Sequence, residues 1–131
     1  MPLKMLIRLY KKIIRNQKSA LNTSGWLESF KRGYPCDLRG DPLPWMNYAV
    51  IALLNERLNR SMQLFEFGSG YSTKFYAKRV ALVTSVEYDL DWYELLNSDK
   101  PDNVSLLYQK KKISMADTVA LSRDKIVIHM M

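Results

Sequence analysis

Two glutamates and a pair of glycines are the residues best suited to bind a small ligand. Glu66 precedes a turn that contains Gly68 and Gly70, and Glu87 ends the next apolar run. Because glycine lacks a Cβ atom, such a turn lets a ligand approach the backbone closely. A carboxylate on the neighbouring strand can accept hydrogen bonds from the two hydroxyls of a ribose. The pattern therefore predicts a site for a nucleoside with an anionic tail.

The sequence from 63 to 89 predicts the elements that position these residues. A short apolar run at 64–67 is typical of a strand buried on both faces, and the glycines at 68–70 end it. Ser72 or Thr73 is expected to cap the helix that follows, and the run at 81–86 predicts a second strand. A right-handed crossover makes the two strands parallel neighbours, so the turn and the second glutamate should meet at one edge of the sheet.

The same residues resemble two motifs of class I S-adenosylmethionine-dependent methyltransferases. Residues 66–72, EFGSGYS, are similar to the E/D-x-G-x-G-x-G/S motif of that family, and residues 83–89, VTSVEYD, are similar to its second motif. Residues 24–26 and 40–45 resemble a bacterial subgroup often found beside surface-polysaccharide genes, so the likeness covers roughly residues 20–110. The resemblance implies S-adenosylmethionine as cofactor, with these binding residues: Glu66, Gly68, Ser69, Gly70, Ser72, Glu87 and Tyr88.

The resemblance also implies a role for most of these residues. Glu66 would help to hold the methionine end of the cofactor, which Gly68 and Gly70 would line. Glu87 would bind the ribose, and Tyr88 would pack near the adenine.

The turn has two other interpretations. A nicotinamide or flavin dinucleotide site prefers glycine or alanine at the third fingerprint position, where this chain has Thr73. Thr73 would hold helix and strand further apart, and Glu66 would repel a pyrophosphate. These two residues favour the methyl donor. In a purely structural interpretation the glycines only form a tight turn, and Glu87 caps the next helix.

The predicted fold class is α/β: a Rossmann-like three-layer sandwich with a mostly parallel sheet, preceded by N-terminal helices. Further strands are predicted at 104–108 and 125–128, with a short helix or loop at 115–121 between them. About four strands in the order 3-2-1-4 result, whereas the resembling family has seven. We therefore expect an incomplete domain, truncated after the fourth strand. The predicted divisions are a basic amphipathic helix (1–18), a helical and loop segment (19–61) and a partial S-adenosylmethionine-binding domain (62–131).

The segment before the turn predicts two helices joined by a broken loop. One helix begins near Trp26 and ends at Gly33, and a second runs through 44–60. The aromatic residues Trp26, Tyr34 and Trp45 either form a flap on the substrate side or cover the bottom of the sheet. After the second strand, Asp91 with Glu94 predicts a capping box at the start of another helix.

The positive charge is concentrated at the start of the chain. Of the formal net charge of +7, residues 1–18 carry six basic side chains and no acidic one. Apolar residues recur there at helical spacing, which predicts an amphipathic helix. Such a helix either docks on the domain or a partner subunit, or lies on a membrane surface. Binding of nucleic acid is less favoured, because no aromatic platform or recognition-helix pattern accompanies the charge.

The remaining composition points to a cytoplasmic protein without a metal site. No run of 18 apolar residues predicts a membrane span, and the first residues lack the pattern of a secretory signal. With one cysteine, Cys36, and one histidine, no metal cluster is predicted. Cys36 is expected to be a loop or core residue.

The sequence thus predicts a methyltransferase-type domain that binds S-adenosylmethionine and acts on a small-molecule or glycan-related acceptor, unless the chain is catalytically inactive. The alternative is a truncated remnant or an interaction module that acts through the basic helix. No catalytic residue is assigned. His129 would lie at the carboxyl end of a central strand, where a general base is suited, but the sequence offers it no carboxylate partner. An uncovered sheet edge also predicts a homodimer.

Overall fold

The computed structural model describes residues 2–110 and the backbone of residues 126–129. Two compact units divide the chain, Met1–Leu43 and Pro44–Met131. None of the described helices combines the length and the apolar character that crossing a lipid bilayer requires.

The first unit consists of three helices and a loop. The helices are α1 (Leu3–Arg15), α2 (Ala20–Thr23) and α3 (Trp26–Arg32). As predicted, α3 ends at Gly33, whose φ of 75° is the left-handed conformation that glycine adopts readily. In the loop that follows, Cys36 and Pro42 form an isolated antiparallel bridge, and Cys36 is fully buried.

A close backbone approach joins α3 to this loop. Gly25 precedes α3 with a φ of 86°, and a Cβ atom at this position would come within 2.4 Å of the carbonyl oxygen of Cys36. The hydroxyl of Ser29 accepts a hydrogen bond from the backbone amide of Cys36 at 2.9 Å. Glycine is therefore required at position 25 for the loop to pack against the helix.

The second unit is an α/β domain with a parallel sheet, which confirms the predicted α/β class. Its elements are α4 (Tyr48–Arg57), β1 (Gln63–Phe67), α5 (Tyr71–Ala77), β2 (Leu82–Glu87), α6 (Leu90–Asn97), β3 (Val104–Tyr108) and β4 (Ile126–His129). The strand order is β3-β2-β1-β4, and each of the three pairings is parallel. In the register of β1 and β2, Glu66 lies opposite Ser85.

The core lies on both faces of the two central strands. Three consecutive residues of β1 and five of β2 are buried, whereas burial in β3 alternates. Continuous burial requires cover on both faces, and apolar residues from the helices and strands supply it. The buried apolar side chains of this unit are Ile51, Leu64, Phe65, Phe75, Tyr76, Ala77, Val80, Val83, Val86, Val104 and Leu106.

Two polar side chains hold the carboxyl end of α5. Arg60 donates to the carbonyl oxygens of Lys78 at 2.8 Å and Val80 at 3.1 Å. The side-chain amide of Asn103 donates to Ala77 at 2.8 Å. These bonds satisfy carbonyl groups that a helix end leaves without partners, so α5 is fixed at the end opposite the glycine turn.

Several predicted boundaries were wrong. The helix predicted at 44–60 begins only at Tyr48, because the side chain of Asn47 accepts the amide of Val50 at 2.9 Å and caps it there. The capping box predicted at Asp91 does not start α6. Asp89 caps this helix instead, by accepting the amide of Trp92 at 2.9 Å.

The aromatic residues for which the sequence predicted a flap or a cover of the sheet, within 19–61, differ in burial. Trp45 is 83% exposed and so covers no part of the sheet. Trp26 stacks on Phe30 with 6.1 Å between ring centroids, and the hydroxyl of Tyr34 donates to the carbonyl of Gly40 at 3.0 Å. The helix or loop predicted at 115–121 lies outside the described residues.

Candidate functional site

The glycine turn, residues 68–70, follows β1 and is hydrogen-bonded to β2. Gly68 has a φ of 79°, and its amide donates to the carbonyl of Val86 at 2.9 Å. A Cβ atom built on Gly68 or on Gly70 would meet no atom of the described residues within 4 Å. The turn is therefore open on the side of both glycines, which leaves room for a ligand against the backbone.

The carboxylate of Glu87 joins the turn to the tip of β2. Its Oε2 accepts the amide of Ser69 at 3.0 Å, and its Oε1 accepts the amides of Tyr88 at 2.8 Å and Asp89 at 2.9 Å. A carboxylate oxygen can accept two hydrogen bonds, so Oε2, with one donor among the described residues, retains an acceptor position. The structural interpretation in which Glu87 caps the next helix is wrong, because Asp89 caps α6.

The carboxyl group of Glu66 is enclosed by three hydroxyl groups. Ser72 donates to its Oε1, while Thr73 at 2.6 Å and Ser85 at 3.0 Å donate to its Oε2. Glu66 is fully buried. Burial raises the pKa of Glu66 to about 7, assisted by the charge of Glu87 and opposed by the three hydroxyl donors. This glutamate therefore links β1, β2 and the first turn of α5 and presents no surface to solvent.

Thr73 has a definite function in the turn. Its hydroxyl accepts the amide of Gly70 at 2.9 Å while it donates to Glu66. The N-cap position of α5 is Gly70, and Thr73 accepts the free amide of this residue from within the first turn, as one of the two predicted capping residues. Ser72 and Thr73 both lie in the first turn of α5, and from there their hydroxyls donate to Glu66.

Ser85 and Trp92, which were not among the predicted site residues, complete the arrangement. The hydroxyl oxygens of Ser69 and Ser85 are 2.7 Å apart, and the indole nitrogen of Trp92 donates to the carbonyl of Ser69 at 2.8 Å. Thr84 and Ser85 are polar residues within an apolar run, and this interruption is the sequence signal that could have identified Ser85 as a site residue. Nothing in the sequence distinguished Trp92, since its role depends on how α6 lies beside the turn.

The structure brings most of the predicted site residues together. Those around the turn are Glu66, Gly68, Ser69, Gly70, Ser72 and Glu87. Tyr88 follows at the strand tip with 60% of its surface exposed. His129 is paired with Phe67 in the register of β1 and β4, and its side chain lies outside the described residues. Within the described ranges, no group of histidine, cysteine and carboxylate residues is arranged to bind a metal ion.

Comparison with known proteins adds no assignment. No family model matches the sequence, and the search of curated proteins produced no match.

Proposed function

We propose that the edge formed by the turn at 68–70 and the tip of β2 binds S-adenosylmethionine, and that the second unit is a Rossmann-like, methyltransferase-type domain. One observation carries this proposal: Oε2 of Glu87 lies 3.0 Å from the amide of Ser69. The acidic strand tip and the open glycine turn are thus adjacent, as a nucleoside with a charged tail requires.

Each part of the cofactor then has a partner of suitable chemistry. The remaining acceptor position on Glu87 suits a ribose hydroxyl. The exposed ring of Tyr88 suits stacking on adenine, and the open backbone at Gly68 and Gly70 suits the methionine end. Since three hydroxyls enclose Glu66, we assign it a positioning role, in which it fixes α5 and the turn.

Charge favours this cofactor over a dinucleotide. The carboxylate of Glu87 holds the backbone amide of Ser69 at the turn, and it would repel a pyrophosphate there. A sulfonium ion is positively charged and would be attracted. When bound, the cofactor supplies a methyl group that an oxygen or nitrogen nucleophile takes in line, so the residues of the chain contribute mainly by orienting it. The acceptor we propose is a small or glycan-related molecule.

A thermal-shift titration tests the proposal. S-adenosylhomocysteine at 100 times its dissociation constant should raise the free energy of unfolding by about 2.7 kcal/mol. Adenosine should act more weakly and NADH should have no effect. The matched variant is Gly70→Ala, since a methyl group there is more than 4 Å from every atom that the structure describes outside its chain neighbours but enters the space given to the ligand. An equal stabilisation of this variant, or a larger effect of NADH, would contradict the proposal.

A second candidate function is a non-enzymatic interaction module. It is favoured by the observation that no residue of α1 is buried.

A further inference from the structure

The helix α1 exposes an unusual amount of apolar surface. Seven of its large apolar side chains are between 40% and 72% exposed: Leu3, Met5, Leu6, Ile7, Leu9, Tyr10 and Ile14. Single exposed apolar residues are normal on protein surfaces, but a contiguous apolar patch indicates a binding surface. These seven residues lie within 13 residues of one helix, so they form such a patch.

Charge and apolar character are completely separated around α1. At 3.6 residues per turn, its five basic side chains fall within an arc of about 100°, and its apolar side chains fill an arc of about 200° on the other side. The basic residues are Lys4, Arg8, Lys11, Lys12 and Arg15. The helix contains no acidic residue. A polar face that is only basic, opposite a broad apolar face, is typical of helices that lie in a membrane interface.

The end of α1 is fixed by its neighbour. The side-chain amide of Asn22 in α2 donates to the carbonyl oxygens of Ile13 at 3.2 Å, Ile14 at 3.2 Å and Asn16 at 2.8 Å. These are carbonyl groups that a helix end leaves without partners. The apolar face of α1 thus belongs to a helix whose end is defined and capped.

The width of the apolar arc and the sign of the charge indicate which kind of partner binds to this face of α1. A second copy of α1 would cover only a narrow seam of a helix, and it would bring five further positive charges beside the first five. A bilayer surface accommodates a broad apolar face, and anionic headgroups attract the lysines and arginines at its margin.

We infer that α1 is an interfacial helix that binds the surface of an anionic lipid bilayer, with its apolar face in the headgroup region and its basic residues on the phosphates. This inference does not depend on the proposed nucleoside site. It assigns a membrane surface as a partner of the first unit.

Co-sedimentation of the full chain with vesicles tests this inference. Vesicles of phosphatidylcholine and phosphatidylglycerol in equal parts should bind the protein, and vesicles of phosphatidylcholine alone should bind it much more weakly. The variant Arg8→Gln/Lys11→Gln should bind roughly 25-fold more weakly, at about fivefold for each charge. Its control is Arg57→Gln/Lys110→Gln, which removes two exposed charges outside α1 and should leave binding unchanged.

The apolar face requires a separate variant. Leu6→Gln/Leu9→Gln keeps every charge and should reduce binding by at least about tenfold. The control Leu53→Gln/Leu95→Gln changes two leucines of α4 and α6 that are 50% and 59% exposed, and it should bind as the unaltered chain does. Thermal unfolding of each variant verifies that the fold is retained.

Three results would overturn the inference. The first is equal binding to neutral and anionic vesicles. The second is binding that Leu6→Gln/Leu9→Gln does not weaken, since α1 would then act only as a polycation. The third is absence of binding of the folded, unaltered chain to the anionic vesicles, whether or not α1 then mediates dimerisation or binds a nucleic acid.

Discussion

The amide of Ser69 donates to the carboxylate of Glu87 at 3.0 Å, although the two residues are 18 positions apart in the sequence. This bond joins the glycine turn after β1 to the last residue of β2. Both positions lie at the carboxyl ends of parallel strands, so the bond fixes the edge of the sheet where a ligand is expected.

The first prediction concerns this bond. In Glu87→Gln one carboxylate oxygen is replaced by the NH2 of a side-chain amide. This group cannot accept a hydrogen bond from a backbone amide, whichever way the side chain is oriented. At least one of the amides of Ser69, Tyr88 and Asp89 then loses its acceptor, at a cost of about 1 to 3 kcal/mol in the free energy of unfolding. Urea unfolding measures it. Glu94→Gln, an exposed control, should change stability by less than about 0.5 kcal/mol, and equal effects would argue against the role of Glu87.

The second prediction separates the two glycines of the turn. Gly68 has a φ of 79°, so Gly68→Ala should lower the free energy of unfolding by about 1 to 2 kcal/mol even though the methyl group meets no atom within the described part of the chain. Gly70 has an extended φ of 173°, and Gly70→Ala should change the free energy of unfolding by less than about 1 kcal/mol. If Gly70→Ala proves the more destabilising of the two by denaturant unfolding, the described conformation of the turn is incorrect.

The third prediction follows from the raised pKa of Glu66, about 7 in the folded chain against an ordinary 4.5. Between these values the folded state holds a proton that the unfolded state releases. The contribution to stability is therefore fully present below pH 4.5, falls as the pH rises towards 7, and is lost above it. The loss is of the order of 3 kcal/mol.

Comparison with Glu66→Gln isolates this contribution, because the glutamine does not titrate. The free energy of unfolding of the unaltered chain minus that of the variant should fall between pH 4.5 and 7 and then level off. A difference that is constant or rises across this range would show that the carboxyl group is ionised when the chain folds.

The fourth prediction concerns Tyr76, whose side chain is fully buried. Its hydroxyl has no hydrogen-bond partner among the described residues. Burial, with the nearby charge of Glu66, raises the pKa of this hydroxyl, which therefore stays protonated. Tyr76→Phe removes a buried polar group without a partner and should raise the free energy of unfolding by about 1 kcal/mol.

Calorimetry measures the effect at Tyr76, with the partly exposed Tyr108→Phe as the control. A lower melting temperature for Tyr76→Phe alone would mean that the hydroxyl is in fact bonded.

The sequence predicted the strands better than the helix starts. The third strand was predicted at 104–108, where β3 lies, because an apolar run after a proline and an asparagine is a strong local signal. The start of α6 was missed because Asp89 and Asp91 are both good caps by type. Which of the two aspartates caps α6 depends on Glu87, because its carboxylate accepts the amides of residues 88 and 89 and so leaves Asp89 in the cap position.

The sequence predicted that the candidate site residues lie close together, but it did not predict the hydrogen bonds among them. The motif placed Glu66, the glycines and Glu87 in one region, since that needs only the order of the elements. Enclosure of Glu66 by hydroxyls depends on the register that sets it opposite Ser85, which no local pattern contains. Thr73, which appeared too large for its position, is explained by its two hydrogen bonds.

Isothermal titration calorimetry of S-adenosylhomocysteine into the unaltered chain and into Gly70→Ala measures whether the turn at 68–70 binds the methyl donor. We expect one site per chain in the unaltered protein, and at least about tenfold weaker binding by a variant that remains folded. No heat of binding at millimolar ligand, or equal affinity of the two proteins, would contradict the claim that this turn holds the cofactor.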